Sequence, residues 1–183
     1  HCPFSHAYHT GHRQLGYPGE CRFVHGHTWR GTVAISCEEF PRDDLDMSLE
    51  FGDIKNGMRF MDHKMLITEQ DKTFLDQGLF EPEGVVMLKG KGPSVENVAG
   101  YVFDGVLEVI RKQYPARGVR YTIEVTIQET ENNIFIIEKT VTVYYHGRPQ
   151  IATADGTQRF AIRSVGSSIS TRVYGGTECV SQT

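Results

Sequence analysis

The sequence lacks the features that would place it at once in several large protein classes. Its four cysteines, Cys2, Cys21, Cys37 and Cys179, form no C-x-x-C pair and no dense framework. That excludes a small disulfide-built domain and favours a reducing, cytoplasmic setting. No apolar run approaches the roughly 18–20 residues of a membrane-spanning helix. No signal segment is visible either, although the chain opens on His1 rather than Met, so a soluble protein without a membrane partner is expected. Excess positive charge is also missing. With 19 Lys and Arg against 23 Asp and Glu, the formal charge is −4, which argues against a nucleic-acid partner. An anionic substrate must then be held by a local patch rather than by the field of the whole molecule. There is no internal repeat at a fixed period.

What remains is a chain of 183 residues, 39% hydrophobic and 23% charged, enough for one domain with a substantial core. Residues 4–12 and "HTWRGTVAIS" (27–36) read as two strands joined through the turn-rich "GYPGE". In "FGDIKNGMRFMDHKML" (51–66), Ile54, Met58, Met61 and Met65 fall at helical spacing, predicting a helix that ends near Asp62. Residues 67–92 read as a long connection containing the short apolar "GVVML". Val95, Val98, Ala99, Val102, Phe103, Val106, Leu107 and Ile110 then form the stripe of an amphipathic helix, with Ser94 as N-cap and Pro115 as stop. "VRYTIEVTIQET" (119–130) and "IFIIEKTVTVYY" (134–145) predict two further strands. Strands separated by a helical block indicate an α+β layer, a four-stranded antiparallel sheet with two helices on one face. Its open edges would be covered by oligomerisation. Residues 1–145 form that domain, and the Gly-, Ser- and Thr-rich 146–183 segment is an extension of no evident role.

Chemistry concentrates in "CRFVHGH" (21–27). His25 and His27, two apart on a strand, point to one face and can share a metal ion. A catalytic zinc commonly takes three protein ligands, and His6, His9 and His12 on the first strand are all candidates for the third. The alternative is that these histidines merely occupy a polar face. Cys21, four residues before His25, is either a thiol activated as base or nucleophile, or a fourth ligand closing a structural site. Asp62-His63 has the composition of an acid–base pair in which the carboxylate orients the imidazole, or else of an ordinary helix end. Glu129 shares the parity of Tyr121, Ile123, Val125 and Ile127. If the strand reaches it, its carboxylate needs a partner, and a ligand with two parallel N–H donors, such as a pterin or guanine ring, would serve. If the strand stops at Gln128, Glu129 is simply solvated.

Taken together, these segments resemble the 6-pyruvoyl-tetrahydropterin synthase / 6-carboxytetrahydropterin synthase family over most of residues 8–130. "YHTGHRQL" resembles the family's opening motif and selects His12 as the third ligand. "CRFVHGH" matches its C-x-x-x-H-G-H, "EFGDIK" its D-F-x-x-L-K, "MDHKML" its L-D-H-x-x-L, "PSVENVA" its P-T-x-E-N-x-A, and "QET" its final E-T. Tyr8, Glu50, Ser94 and Met65-Leu66 depart from the commoner Phe, Asp, Thr and Leu-Asn, without removing a residue of the chemistry.

The resemblance implies the T-fold, whose subunits join their sheets into a barrel, commonly a hexamer of two trimers with sites between subunits. It implies Zn²⁺ on His12, His25 and His27, proton transfer by Cys21, Asp62 and His63, and substrate contacts from Glu129, Ser94 and Glu96. The implied activity is that of a lyase on 7,8-dihydroneopterin triphosphate. The short C-x-x-x-H-G-H spacing favours the branch making 6-carboxy-5,6,7,8-tetrahydropterin for queuosine and other 7-deazaguanines. A 6-pyruvoyl or hydroxymethyl product, or a non-catalytic pterin- or purine-binding protein, are the alternatives. Arg22, Lys64, Lys89 and Lys91 are candidates for gripping the triphosphate.

Overall fold

The computed structural model describes residues 2–113 and 118–143. The expectations for 146–183, and for the last two residues of the 134–145 strand, lie outside the described residues. The elements run β1 (Cys2–His12), β2 (His25–Cys37), α1 (Phe51–Met58), β3 (Lys64–Thr68), α2 (Thr73–Asp76), β4 (Val85–Leu88), α3 (Val95–Gln113), β5 (Val119–Gln128) and β6 (Ile134–Val143). Short 3₁₀ turns occupy Glu20–Arg22, Arg59–Met61 and Pro82–Gly84.

The four expected strands are present, but among the described residues the sheet has six, in the order β4-β3-β1-β2-β5-β6. It is mixed rather than antiparallel. β1–β2, β2–β5 and β5–β6 pair antiparallel, whereas β3 runs parallel to both β1 and β4. The first helix is also shorter than its spacing predicts. It stops at Met58, a 3₁₀ turn carries the chain to Met61, and Met65 belongs to β3.

One face of the sheet carries the core. Along β5, Tyr121, Ile123, Val125 and Ile127 are all fully buried, each apolar side chain contributing about 1.5–3 kcal/mol. Tyr8, Trp29, Val33 and Ile35 extend that layer across β1 and β2, and Ile54, Met58 and the predicted stripe of α3 close over it. The two main helices meet backbone to backbone at glycine. A Cβ added at Gly105 would stand 2.6 Å from the carbonyl oxygen of Gly57. No helix among the described residues is long and apolar enough to cross a membrane.

Candidate metal centre and active site

The register of the β1–β2 pair assembles the histidines. Tyr8 faces Trp29, Thr10 faces His27, and His12 faces His25. These positions share the parity of the core face, so the three histidines continue the buried row at the open end of the pair. Ring centroids lie 4.4 Å apart for His12–His25, 5.4 Å for His12–His27 and 5.1 Å for His25–His27, with Trp29 edge-on to His12 at 5.1 Å. One ligand nitrogen from each histidine falls within 4.8 Å of the others, close enough to share one metal ion.

Backbone carbonyls set the tautomers of two of the three. His12 Nδ1 donates to the carbonyl of Pro93 at 3.2 Å, and His25 Nδ1 to the carbonyl of Phe23 at 2.8 Å. An oxygen of that kind only accepts, so Nε2 of each ring keeps its lone pair, the arrangement a metal ligand needs. Burial, then the nearby His25, push the His12 imidazole down to about 4, with His27 adding to this and the Pro93 hydrogen bond opposing it. His12 is thus neutral near neutral pH, and its Nε2 is buried with no hydrogen-bond partner. A buried orphan lone pair beside two further imidazoles fits a bound cation.

Glu129 meets both expectations halfway. β5 ends at Gln128, yet the carboxylate stays half-buried and places Oε1 3.4 Å from His12 Nε2. The turn that follows holds it there. Glu129 N donates to the Asn133 carbonyl at 2.9 Å, and Asn133 Nδ2 donates to Glu129 Oε2 at 3.3 Å.

Asp62 and His63 dock on the other side of β1, just ahead of the parallel strand β3. The His9 backbone serves both. Its amide donates to Asp62 Oδ1 at 3.0 Å, and its carbonyl accepts from the amide of His63 at 2.9 Å. His63 adopts φ +57° to make this turn, a left-handed conformation unusual for a non-glycine residue. Its Nδ1 lies 3.1 Å from Asp62 Oδ1, and its ring is largely exposed. Burial alone would raise the Asp62 carboxyl. The His9 amide, the His6 side chain and the charge of His63 outweigh it and hold the group below the ordinary carboxylate value. His63, His9, Lys64, Phe80 and the candidate ligand His27 line one open cleft of about 720 Å³. His12 and His25 do not line this cleft, and His9 and Thr28, which do, have the parity opposite to the three candidate ligands.

Other predicted residues are not drawn in. Cys21 is exposed and free in the 3₁₀ turn, its backbone carbonyl accepting from Gln14 N at 2.7 Å. It stands outside the three-histidine group, which disfavours the fourth-ligand reading. Ser94 accepts from Asn97 N at the start of α3, as a cap should, and Glu96 is exposed on the first turn. Among the basic candidates, Arg22 donates to the Pro18 carbonyl and Lys64 to that of Glu83, while Lys89 and Lys91 are exposed.

Sequence reasoning missed two interactions. Arg13 forms two parallel 2.6 Å bonds to the buried carboxylate of Asp71, and its guanidinium stacks over Phe74. His6, considered only as a ligand, instead contacts Asp62.

The sheet, the two backing helices and the three-histidine cluster define an α+β domain with a site able to hold a metal ion. The chain belongs to the 6-pyruvoyl tetrahydropterin synthase family, whose model matches residues 3–140. Relatives named 6-carboxy-5,6,7,8-tetrahydropterin synthase include one from Rickettsia felis, 28% identical over 98 residues spanning 51% of this chain and 70% of that protein. Another, from Rickettsia bellii, is 30% identical over 97 residues, covering 49% and 67%. Among solved structures, the 6-pyruvoyltetrahydropterin synthases of Plasmodium vivax and Plasmodium falciparum share the fold. Each gives a TM-score of 0.51 over 76% of this chain and 98% of the other, at 13% and 14% identity respectively.

Proposed function

We propose that the protein is a zinc-dependent 6-carboxy-5,6,7,8-tetrahydropterin synthase. It would act on 7,8-dihydroneopterin triphosphate in the cytoplasm, releasing triphosphate and acetaldehyde on the route to queuosine and other 7-deazaguanines. The observation that carries the reading is the buried Nε2 of His12, which makes no hydrogen bond, beside His25 and His27, in a chain whose Rickettsia relatives carry that enzyme's name.

His12, His25 and His27 hold the ion, which when bound supplies Lewis-acid polarisation of the substrate's side-chain hydroxyls. His63, with Nδ1 directed to Asp62, keeps Nε2 for taking and returning a proton, and the Cys21 thiol is the second proton-transfer group. Glu129 accepts the paired N–H donors of the pterin ring, and Ser94 and Glu96 complete the substrate contacts. Cys21 stands apart from the histidines in one chain, which supports a site completed between subunits. Among the described residues the ten-residue β6 is an edge strand whose backbone groups could pair with another copy, and a homohexamer of two trimers is the assembly proposed.

The test is to incubate zinc-loaded protein with dihydroneopterin triphosphate and identify the products by mass spectrometry. Carboxytetrahydropterin with acetaldehyde is the expected outcome. A pyruvoyl or hydroxymethyl product would move the protein to another branch of the same chemistry. Bound zinc without turnover would make it a pterin- or purine-binding protein.

A further inference from the structure

β1 carries more histidine than the metal cluster uses. His9 is engaged through its backbone, as described above. His6 acts through its side chain: its Nε2 lies 3.4 Å from Asp62 Oδ2, across 56 positions of sequence. The other oxygen, Oδ1, receives the His9 amide and lies beside His63 Nδ1. Each oxygen of the Asp62 carboxylate therefore has its own imidazole. An ionised carboxylate only accepts, so His6 presents Nε2–H; His63 Nδ1 lies within ion-pair reach of Oδ1, and an N–H on that atom would leave the lone pair of His63 on Nε2.

His6 is itself held in place. Its ring meets that of Tyr8 edge-on, with centroids 4.8 Å apart at 68°. The Tyr8 ring in turn lies over Gly31, the β2 residue paired with His6. A Cβ at Gly31 would come within 2.8 Å of Tyr8 ring and hydroxyl atoms. Only glycine leaves room for the ring that props His6.

We propose that His6 is a positioning residue: by holding the second oxygen of Asp62 it keeps the first aimed at His63 Nδ1, so that His6, Asp62 and His63 act as one fixed array. This rests on the assignment of Asp62 and His63 to proton transfer made above. A carboxylate anchored at one oxygen only can rotate and lose its line to His63. Two anchors remove that freedom before substrate arrives.

Three variants test it. His6→Phe keeps a ring against Tyr8 and removes the donor. His6→Asn keeps polarity but falls short of Asp62. His6→Gln can return an N–H close to the position of Nε2. The first readout uses zinc-loaded protein without substrate, in ¹⁵N-edited spectra of the histidine side chains. Wild type and His6→Gln are expected to show His63 as the Nδ1–H tautomer, and the other two variants to revert to the Nε2–H form that exposed imidazoles prefer.

The second readout is turnover of dihydroneopterin triphosphate. His6→Phe and His6→Asn are expected to lower kcat on the order of tenfold with KM within about twofold, and His6→Gln to recover most of the loss. An unchanged His63 tautomer in both His6→Phe and His6→Asn would overturn the positioning role, as would a rise in KM with kcat intact. Absence of turnover in the wild type, with the tautomer change present, would overturn the assigned activity and leave the array standing.

Discussion

His12 reaches the carbonyl of Pro93 through Nδ1, a 3.2 Å bond spanning 81 positions of sequence. It ties the end of β1 to the start of α3 and leaves Nε2 as the ring's only lone pair. His12→Ala is therefore expected to weaken zinc binding by more than about 100-fold, since it removes a ligand rather than an outer partner. Competition against a chromophoric chelator measures this, and unchanged affinity would place the ion elsewhere.

Cys21 makes the opposite prediction. Because its thiol lies outside the histidine group, Cys21→Ala should bind zinc normally while turnover falls about 10²–10⁴-fold, the range for loss of a proton-transfer group. Metal analysis of the purified variant separates the roles. Loss of zinc would make the thiol a ligand.

Acid should reveal the Asp62 array. The folded carboxyl titrates below its ordinary value of 3.8, so between the two values the unfolded chain holds more protons than the folded one. Stability contributed by Asp62 is then complete above the unfolded value and is lost as pH falls through the folded one. The groups facing it are His6, His9, His63 and Tyr8. Urea midpoints at descending pH should show the advantage of wild type over Asp62→Asn shrinking below about pH 4. A constant gap would contradict the assigned hydrogen bonds.

Arg13 and Asp71 form the strongest ion pair among the described residues by geometry, with the carboxylate almost fully buried. Replacing Arg13 by Ala strands that carboxylate, and a loss of about 2–4 kcal/mol is expected. Equilibrium denaturation checks it. The effect should appear in stability, with zinc affinity little changed.

Gly105→Ala sets two effects against each other. Alanine favours a helix over glycine by about 1 kcal/mol, but its Cβ would stand 2.6 Å from the Gly57 carbonyl oxygen, and overpacking costs about 1–3 kcal/mol. Strain should win and the thermal midpoint fall. A rise would mean that the helices separate freely at this crossing.

Legibility in the sequence followed burial. β5 and α3 were readable because each buries one side, so their apolar residues repeat with period two or along a stripe. β3 was not. From Met65 to Thr68 it is buried on both faces, as a parallel strand inside a sheet often is, so it shows no alternation. Met65 also falls at the spacing set by Ile54, Met58 and Met61, and it extended the apparent helix past its end. The turn at His63, made by a non-glycine residue at positive φ, carried no Gly or Pro to mark it. The His25–His27 pair was visible from parity, whereas His12 required the family motif, because the β1–β2 register that brings it opposite His25 cannot be read from either strand alone. The contact between His6 and Asp62 depends on the parallel docking of β3, the element the sequence concealed.

β1 is a shared ruler for two sets of chemical groups. Its even-numbered side chains give His12 to the metal cluster and His6 to Asp62, and its backbone at His9 seats the Asp62-His63 turn. A slip or deletion of one residue within it would turn the even side chains to the opposite face and shift that seat in the same event. An insertion or deletion inside β1 would erase the ion site and the proton-transfer site together.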